Sequence, residues 1–151
     1  MNQENKNIPK ILIGFDFGMK RIGVAIGQTI TQTARPLDTI QAKDGIPNWN
    51  AIDKLIKKWL PDALVVGIPL NMDGTDQHIS HVARQFAKSL HDRFNIPVHE
   101  MDERLTTKDA RERLFLQGGF KALQDGQVDR VAAQLILQNW FAEVAAGLHK
   151  K

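Results

Sequence analysis

The chain changes its hydrophobic period partway along, and this limits the folds open to it. Residues 11–17 form a short apolar run that stops at Gly18, residues 22–26 form a second, and residues 33–41 form a third. Each suits a strand in length and is closed by glycine or polar turn residues. Downstream the spacing becomes helical. Ile52, Leu55, Ile56 and Trp59 recur at three- and four-residue intervals before Pro61, and proline ends such a helix. An apolar run at 63–68 follows, then a helical stripe of Ile79, Val82, Ala83, Phe86, Ala87 and Leu90, then a run at 96–101. Thr75 or Asp76 can cap the stripe. Thr106 or Thr107 can cap a further helix through Ala110, Leu114 and Phe115 that stops at Gly118-Gly119, and a closing helix is expected over 127–146 after a loop at 120–126. Strands joined by short turns pair antiparallel, whereas strands separated by helices run parallel. The expected fold is an α/β mixed sheet, antiparallel in its first three strands and parallel thereafter, with helices on both faces. Pro36 marks the third strand as an edge or a bulge.

At 151 residues, 42% of them apolar, the sequence can bury the core of one domain. That domain is expected over 11–151, after a polar tail at 1–10. The absence of cysteine rules out disulfides and thiolate metal sites and suits a reducing cytosol. No apolar run reaches membrane-spanning length. A net charge of +3 and a pI near 9.3 give a mild bias toward polyanionic partners.

Three carboxylates stand where carboxylates are costly or well aimed. Asp16 interrupts an apolar strand, and burying an ionised group there requires a partner; a strand-end aspartate can also bond to its own turn. The segment from Val98 to Arg104 carries Glu100, Asp102 and Glu103. Side chains alternate along a strand, so Glu100 and Asp102 share one face and Glu103 shares the other with Met101. In the closing helix, Ala132, Ala133, Ile136, Leu137 and Trp140 form one stripe, and Asp129 lies a turn before it on the same face. Asp129 also suits the positive end of the helix dipole. Two bare carboxylates about 4 Å apart repel by roughly 4 kcal/mol at an effective dielectric of 20, so convergence of three would call for cations. Oxygen-only donors favour Mg²⁺ or Mn²⁺, and a pair of such ions can drive phosphodiester hydrolysis.

The run from Asp16-Phe17-Gly18-Met19-Lys20-Arg21 to Ala25 resembles the opening motif of the YqgF family, also called RuvX-like proteins. Gly67-Ile68-Pro69-Leu70 with Gly74 is similar to its second motif, Asp102-Glu103-Arg104-Leu105-Thr106-Thr107 to its third, and the stretch from Asp129 to Leu137 to its fourth. The four occur in order and cover nearly the whole chain. The resemblance implies an RNase H-like fold related to the RuvC Holliday-junction resolvases. It also implies a nuclease of 5′-end processing of pre-16S rRNA, with Asp16, Glu103 and Asp129 as catalytic metal ligands.

Lys20, Arg21 and Arg104 flank these acids and can position substrate phosphates, or serve as surface charges and ion-pair partners. His78 and His81, three apart on a helix, permit a shared metal but suit the surface. His99 can shuttle a proton or simply pack. Trp49, Trp59 and Trp140 read as core or half-buried residues, with no aromatic platform for single-stranded RNA. The expected partners are nucleic acid, pre-16S rRNA first and branched DNA second, and ribosomal assembly intermediates. A non-catalytic RNA-binding or assembly factor is a further alternative. An ATP-binding protein with an Asp-x-Gly hairpin is disfavoured by length, because that architecture uses two related domains.

Overall fold

A computed structural model describes residues 10–71, 73–102 and 127–145. Six strands form one sheet in the order β4-β3-β2-β1-β5-β6. They are β1 (Ile11–Asp16), β2 (Arg21–Gln28), β3 (Thr33–Lys43), β4 (Ile46–Pro47), β5 (Ala63–Ile68) and β6 (Val98–Asp102). The first three pair antiparallel, and β1, β5 and β6 run parallel, as the change of period predicts. The described helices are α1 (Trp49–Trp59), α2 (His78–Phe94) and α3 (Gln127–Ala145). The expected helix through Ala110, Leu114 and Phe115 and the loop at 120–126 lie outside the described residues.

The central strands are apolar on both faces because both faces are covered. Along β1, Ile13 and Phe15 join Ile22, Val24 and Ile26 of β2 and Leu64, Val66 and Ile68 of β5 in a core closed by α1 and α2. Phe15 meets Phe86 of α2 edge-on, with ring centroids 5.5 Å apart. On the other face, Leu12, Ala25, Ala63 and Val65 pack against Ala133, Ile136, Leu137, Trp140 and Phe141 of α3. That second face is paved with small residues, and α3 lies almost on the sheet backbone. A Cβ on Gly14 would fall 2.7 Å from Leu137 Cγ, closer than carbon atoms pack.

Several boundaries differ from the sequence reading for local reasons. In β3, Val24 faces Asp38 and Ala25 faces Pro36, so Leu37 is an extra residue and the strand bulges beside the proline. The two-residue β4, which the sequence did not suggest, pairs with the end of β3. Strand β6 begins at Val98 rather than at residue 96; the Pro97 carbonyl still accepts from Leu64 N. Helix α2 is not capped by Thr75 or Asp76. Its cap is Gln77, whose N–H donates to Ser80 Oγ over 2.9 Å. Thr75 is engaged elsewhere, its hydroxyl donating to Asp73 Oδ1 over 2.6 Å. Asp76 takes Arg84 Nη1 at 2.7 Å. The buried Ser80 hydroxyl donates onward to the Pro69 carbonyl, tying α2 to the end of β5.

Candidate carboxylate site

Asp16 is the last residue of β1, and it is buried, with 8% of its surface exposed. It faces the α3 side, as Leu12 and Gly14 do. Its ladder neighbours are both glycines, Gly23 in β2 and Gly67 in β5, and Gly67 in turn faces Met101 in β6. The carboxylate therefore stands between two positions that carry no side chain.

The first turn of α3 is seated on one of these glycines. A Cβ on Gly23 would fall 1.9 Å from the Asp129 carbonyl oxygen and 2.8 Å from Asp129 Cβ. Only glycine permits this approach, and it brings Asp129 beside the strand residue that faces Asp16. Asp129 is thus both the first-turn acid of α3 and a neighbour of the buried carboxylate; the dipole and site readings of its position are compatible. Its side chain is 24% exposed and accepts from Arg21 Nε at 3.1 Å. Arg21, at the start of β2, is more than half exposed, so this pair sits on the rim of the site. Lys20 is an exposed residue of the preceding turn, and its carbonyl accepts from Ala42 N.

The β6 acids divide by face. Met101 packs in the α3-side core, whereas Asp102 faces Ile68, a residue of the α1–α2 core. Glu100 lies on that same side, 3.5 Å from Arg84 Nε of α2. Neither Glu100 nor Asp102 shares the face that carries Asp16. Glu103 and Arg104 lie outside the described residues. Among the described residues no three acidic or histidine side chains gather as a metal-holding group.

The second cluster of charge is on α2. Arg84 spans Asp76 at 2.7 Å and Glu100 at 3.5 Å, with His81 Nε2 3.8 Å from Asp76. The hydrogen bond from Arg84 holds the Asp76 carboxyl below its usual range, and the same bond raises Arg84. This cluster fastens the tight turn between Leu70 and Asp76, which bridge each other, to α2 and β6. The sequence reading missed it; its only trace is the eight-residue spacing of Asp76 and Arg84 across the helix start. His78 and His81 are exposed on α2. His99 packs on Trp140, ring centroids 5.4 Å apart.

Comparison with known proteins gives the arrangement a lineage. The family described as RuvX: Holliday junction resolvase matches residues 10–143. A protein of Aeromonas hydrophila, provisionally named a pre-16S rRNA nuclease, is 61% identical over 132 residues, covering 87% of this chain and 94% of its own. A Haemophilus influenzae protein with the same provisional name is 57% identical over 129 residues, 85% of this chain and 93% of its own. Among solved structures, RuvC of T. thermophilus in complex with a Holliday junction substrate aligns with a TM-score of 0.56 at 16% identity, over 93% of this chain and 98% of that one. The yeast mitochondrial Holliday junction resolvase Ydc2 aligns with a TM-score of 0.52 at 12% identity, over 91% and 81%. At such identities the likeness is one of fold, and the fold is that of the RuvC/RNase H-like resolvases. With most of its length matched by the family and by close relatives, this chain belongs to the RuvX family.

Proposed function

We propose that this protein is a metal-dependent nuclease that hydrolyses phosphodiester bonds in the 5′-end processing of pre-16S rRNA. The observation that carries the proposal is the buried Asp16 carboxylate flanked by Gly23 and Gly67, with the first turn of α3 resting on Gly23 and bringing Asp129 alongside. Gly23 thus brings the first turn of α3, which carries Asp129, next to the strand position that faces Asp16, although the two residues stand 113 positions apart (129 less 16) in sequence.

The donor chemistry fits Mg²⁺ or Mn²⁺, because every candidate ligand is a carboxylate oxygen. Asp16 and Asp129 would hold the metal together with Glu103. Asp102 lies on the opposite face from Met101, which favours Glu103 over Asp102 as the third ligand. Bound divalent ions, as a pair in the full proposal, supply Lewis-acid stabilisation of the charge that builds on a phosphodiester during hydrolysis. The chain's own groups do the rest. The strand backbone fixes Asp16, the seating of α3 fixes Asp129, and Arg21 holds the Asp129 carboxylate on the solvent side. Lys20, Arg21 and Arg104 would position substrate phosphates, where a guanidinium fork suits the geometry. A cytosolic setting, with ribosomal assembly intermediates as partners, belongs to the same proposal and rests on the cysteine-free sequence and the names of the relatives.

The test is cleavage of a pre-16S 5′-leader RNA with Mg²⁺ or Mn²⁺. Asp16→Asn, Glu103→Gln and Asp129→Asn are each expected to lose at least about a hundredfold in rate, the scale set by removing one major stabiliser of transition-state charge. Asp102→Asn is expected to stay near the wild-type rate. Equal cleavage by all preparations would trace the activity to a contaminant and overturn the proposal. Faster cleavage of a four-way DNA junction than of the RNA would move the substrate to branched DNA, the reading that the family description favours.

A further inference from the structure

At the other end of the sheet from Asp16 lies a groove of about 310 Å³. It is floored by Ile11, Ile26 and Gly27 and walled by Arg35 of β3 and Trp59, the last residue of α1. The Arg35 guanidinium carbon sits 5.5 Å from the centre of the indole, and Lys58 Nζ sits 5.2 Å from it. Trp59 is half-buried, so part of its ring remains available, and both cations are exposed. Lys54 and Lys57 are also exposed on α1. Among the described residues, none of these four cations lies in an ion pair with a carboxylate. Lysines in the last turn of a helix complement its dipole, which accounts for Lys57 and Lys58. The dipole does not account for Arg35, which arrives from a different element and lies over the same indole.

We propose that this groove is a second nucleic-acid site, taking an unpaired nucleobase of an RNA strand against Trp59 and its flanking phosphates on Arg35 and Lys58. An aromatic ring overlain by exposed cations matches the two things a single strand presents, a base and a backbone charge, once a cation moves from the ring to a phosphate and frees the π-face. Uncompensated positive charge around an apolar floor suits a nucleotide better than an uncharged ligand. The five residue steps from Ile11 to Asp16 along β1 amount to roughly 17 Å, so the groove engages flanking sequence and not the scissile bond. The inference rests on the nucleic-acid reading of the carboxylate site, yet binding can be measured without cleavage.

The experiment titrates fluorescein-labelled single-stranded RNAs of about 16 and about 4 nucleotides, lengths that bracket common single-strand site sizes, into the full chain in EDTA at several salt concentrations. Trp59→Leu is expected to weaken binding of the longer RNA about tenfold, as loss of one stacked base does. Arg35→Gln and Lys58→Gln should each make the plot of log affinity against log salt shallower by about 0.7. Arg35→Lys should restore that slope, which a merely structural arginine would not do. These two exposed positions keep the test open if Trp59→Leu unfolds. Unchanged affinity and slope on the longer RNA would overturn the proposal. So would weakened binding only in variants whose melting temperature also falls, which would mark a structural effect. Polyglutamate competing as well as unlabelled RNA would assign the groove to an acidic protein surface and overturn it too. If wild type binds and the variants weaken binding while no preparation cleaves RNA, the groove stands and the nuclease reading falls.

Discussion

Gly23 is the residue on which the candidate site turns. Its missing side chain leaves room for the Asp129 carbonyl, which lies 1.9 Å from where a Cβ would be. Gly23→Ala cannot be absorbed by a side-chain rotation, because the opposing atom is backbone, so the start of α3 must lift. Overpacking of this kind costs about 1–3 kcal/mol, which for a chain of this size lowers Tm by roughly 2–4 °C per kcal/mol. Thermal unfolding checks that part. The expected cleavage loss is larger than the stability loss accounts for, because Asp129 moves with the helix. A Gly23→Ala protein that melts lower yet cleaves at the wild-type rate would mean that Asp129 need not sit where it does. The sequence announced the two acids, one by interrupting an apolar run and one by its place on a helical stripe. A glycine inside a strand, such as Gly23, signals close backbone approach, but only the fold shows that Asp129 is what approaches it. The choice between Asp102 and Glu103 was half legible. Alternation predicts two faces for the pair, and the sheet shows that Met101 lies on the face that carries Asp16 and Asp102 on the other.

The helix ends carry the predictions that belong to elements. Helix α2 ends on Asn95 and α1 on Leu60, both in the left-handed region with φ of 56° and 48°. Asparagine tolerates that region and leucine pays for it. Leu60 is 72% exposed and contributes little packing in return. Leu60→Asn should therefore stabilise by about 1 kcal/mol, seen as a Tm gain of roughly 2–4 °C; no gain would mean that the leucine makes an offsetting contact. At the start of α2, Arg84 holds Asp76 below its ordinary value of 3.8. A depressed carboxylate pKa stabilises the fold above its unfolded value and loses that contribution as pH falls through the lowered one. The difference in urea midpoint between wild type and Asp76→Asn should be constant through neutral pH and vanish only in acid below about 4. Loss of the difference already near pH 6 would contradict the Arg84 pairing. These ends also show where patterning stops being informative. Thr75 and Asp76 are good caps in isolation, but the turn from Leu70 to Asp76 uses both, and the cap falls to Gln77.

At the scale of the molecule, the sheet divides two cores that do different work. The α1–α2 side holds the larger aromatic and aliphatic side chains, while the α3 side gives up bulk to glycine and alanine so that one helix can lie close. Strand direction was legible because the change from short connections to intervening helices dictates pairing sense; the placing of β5 beside β1 was not. The close seating of α3 was legible too, in the small Ala132 and Ala133 on its stripe, whereas the two-residue β4 was not, since it leaves no period in the sequence. The division makes a prediction that separates stability from function. Leu137 on α3 and Leu90 on α2 are both fully buried, and truncating either to alanine should cost about 2–5 kcal/mol. The losses in melting temperature should be similar, yet their consequences for the site should differ. Leu137 rests over Gly14 and anchors the helix that carries Asp129, whereas Leu90 lies behind the sheet. Under the proposed metal-binding role, Mg²⁺ should raise the Tm of Leu90→Ala as much as it raises that of wild type, since ligand bound only to the native state stabilises it by mass action. The rise should shrink in Leu137→Ala. Equal rises in the two variants would show that the carboxylates keep their geometry however loosely α3 is held, and the close seating of that helix would then serve stability alone.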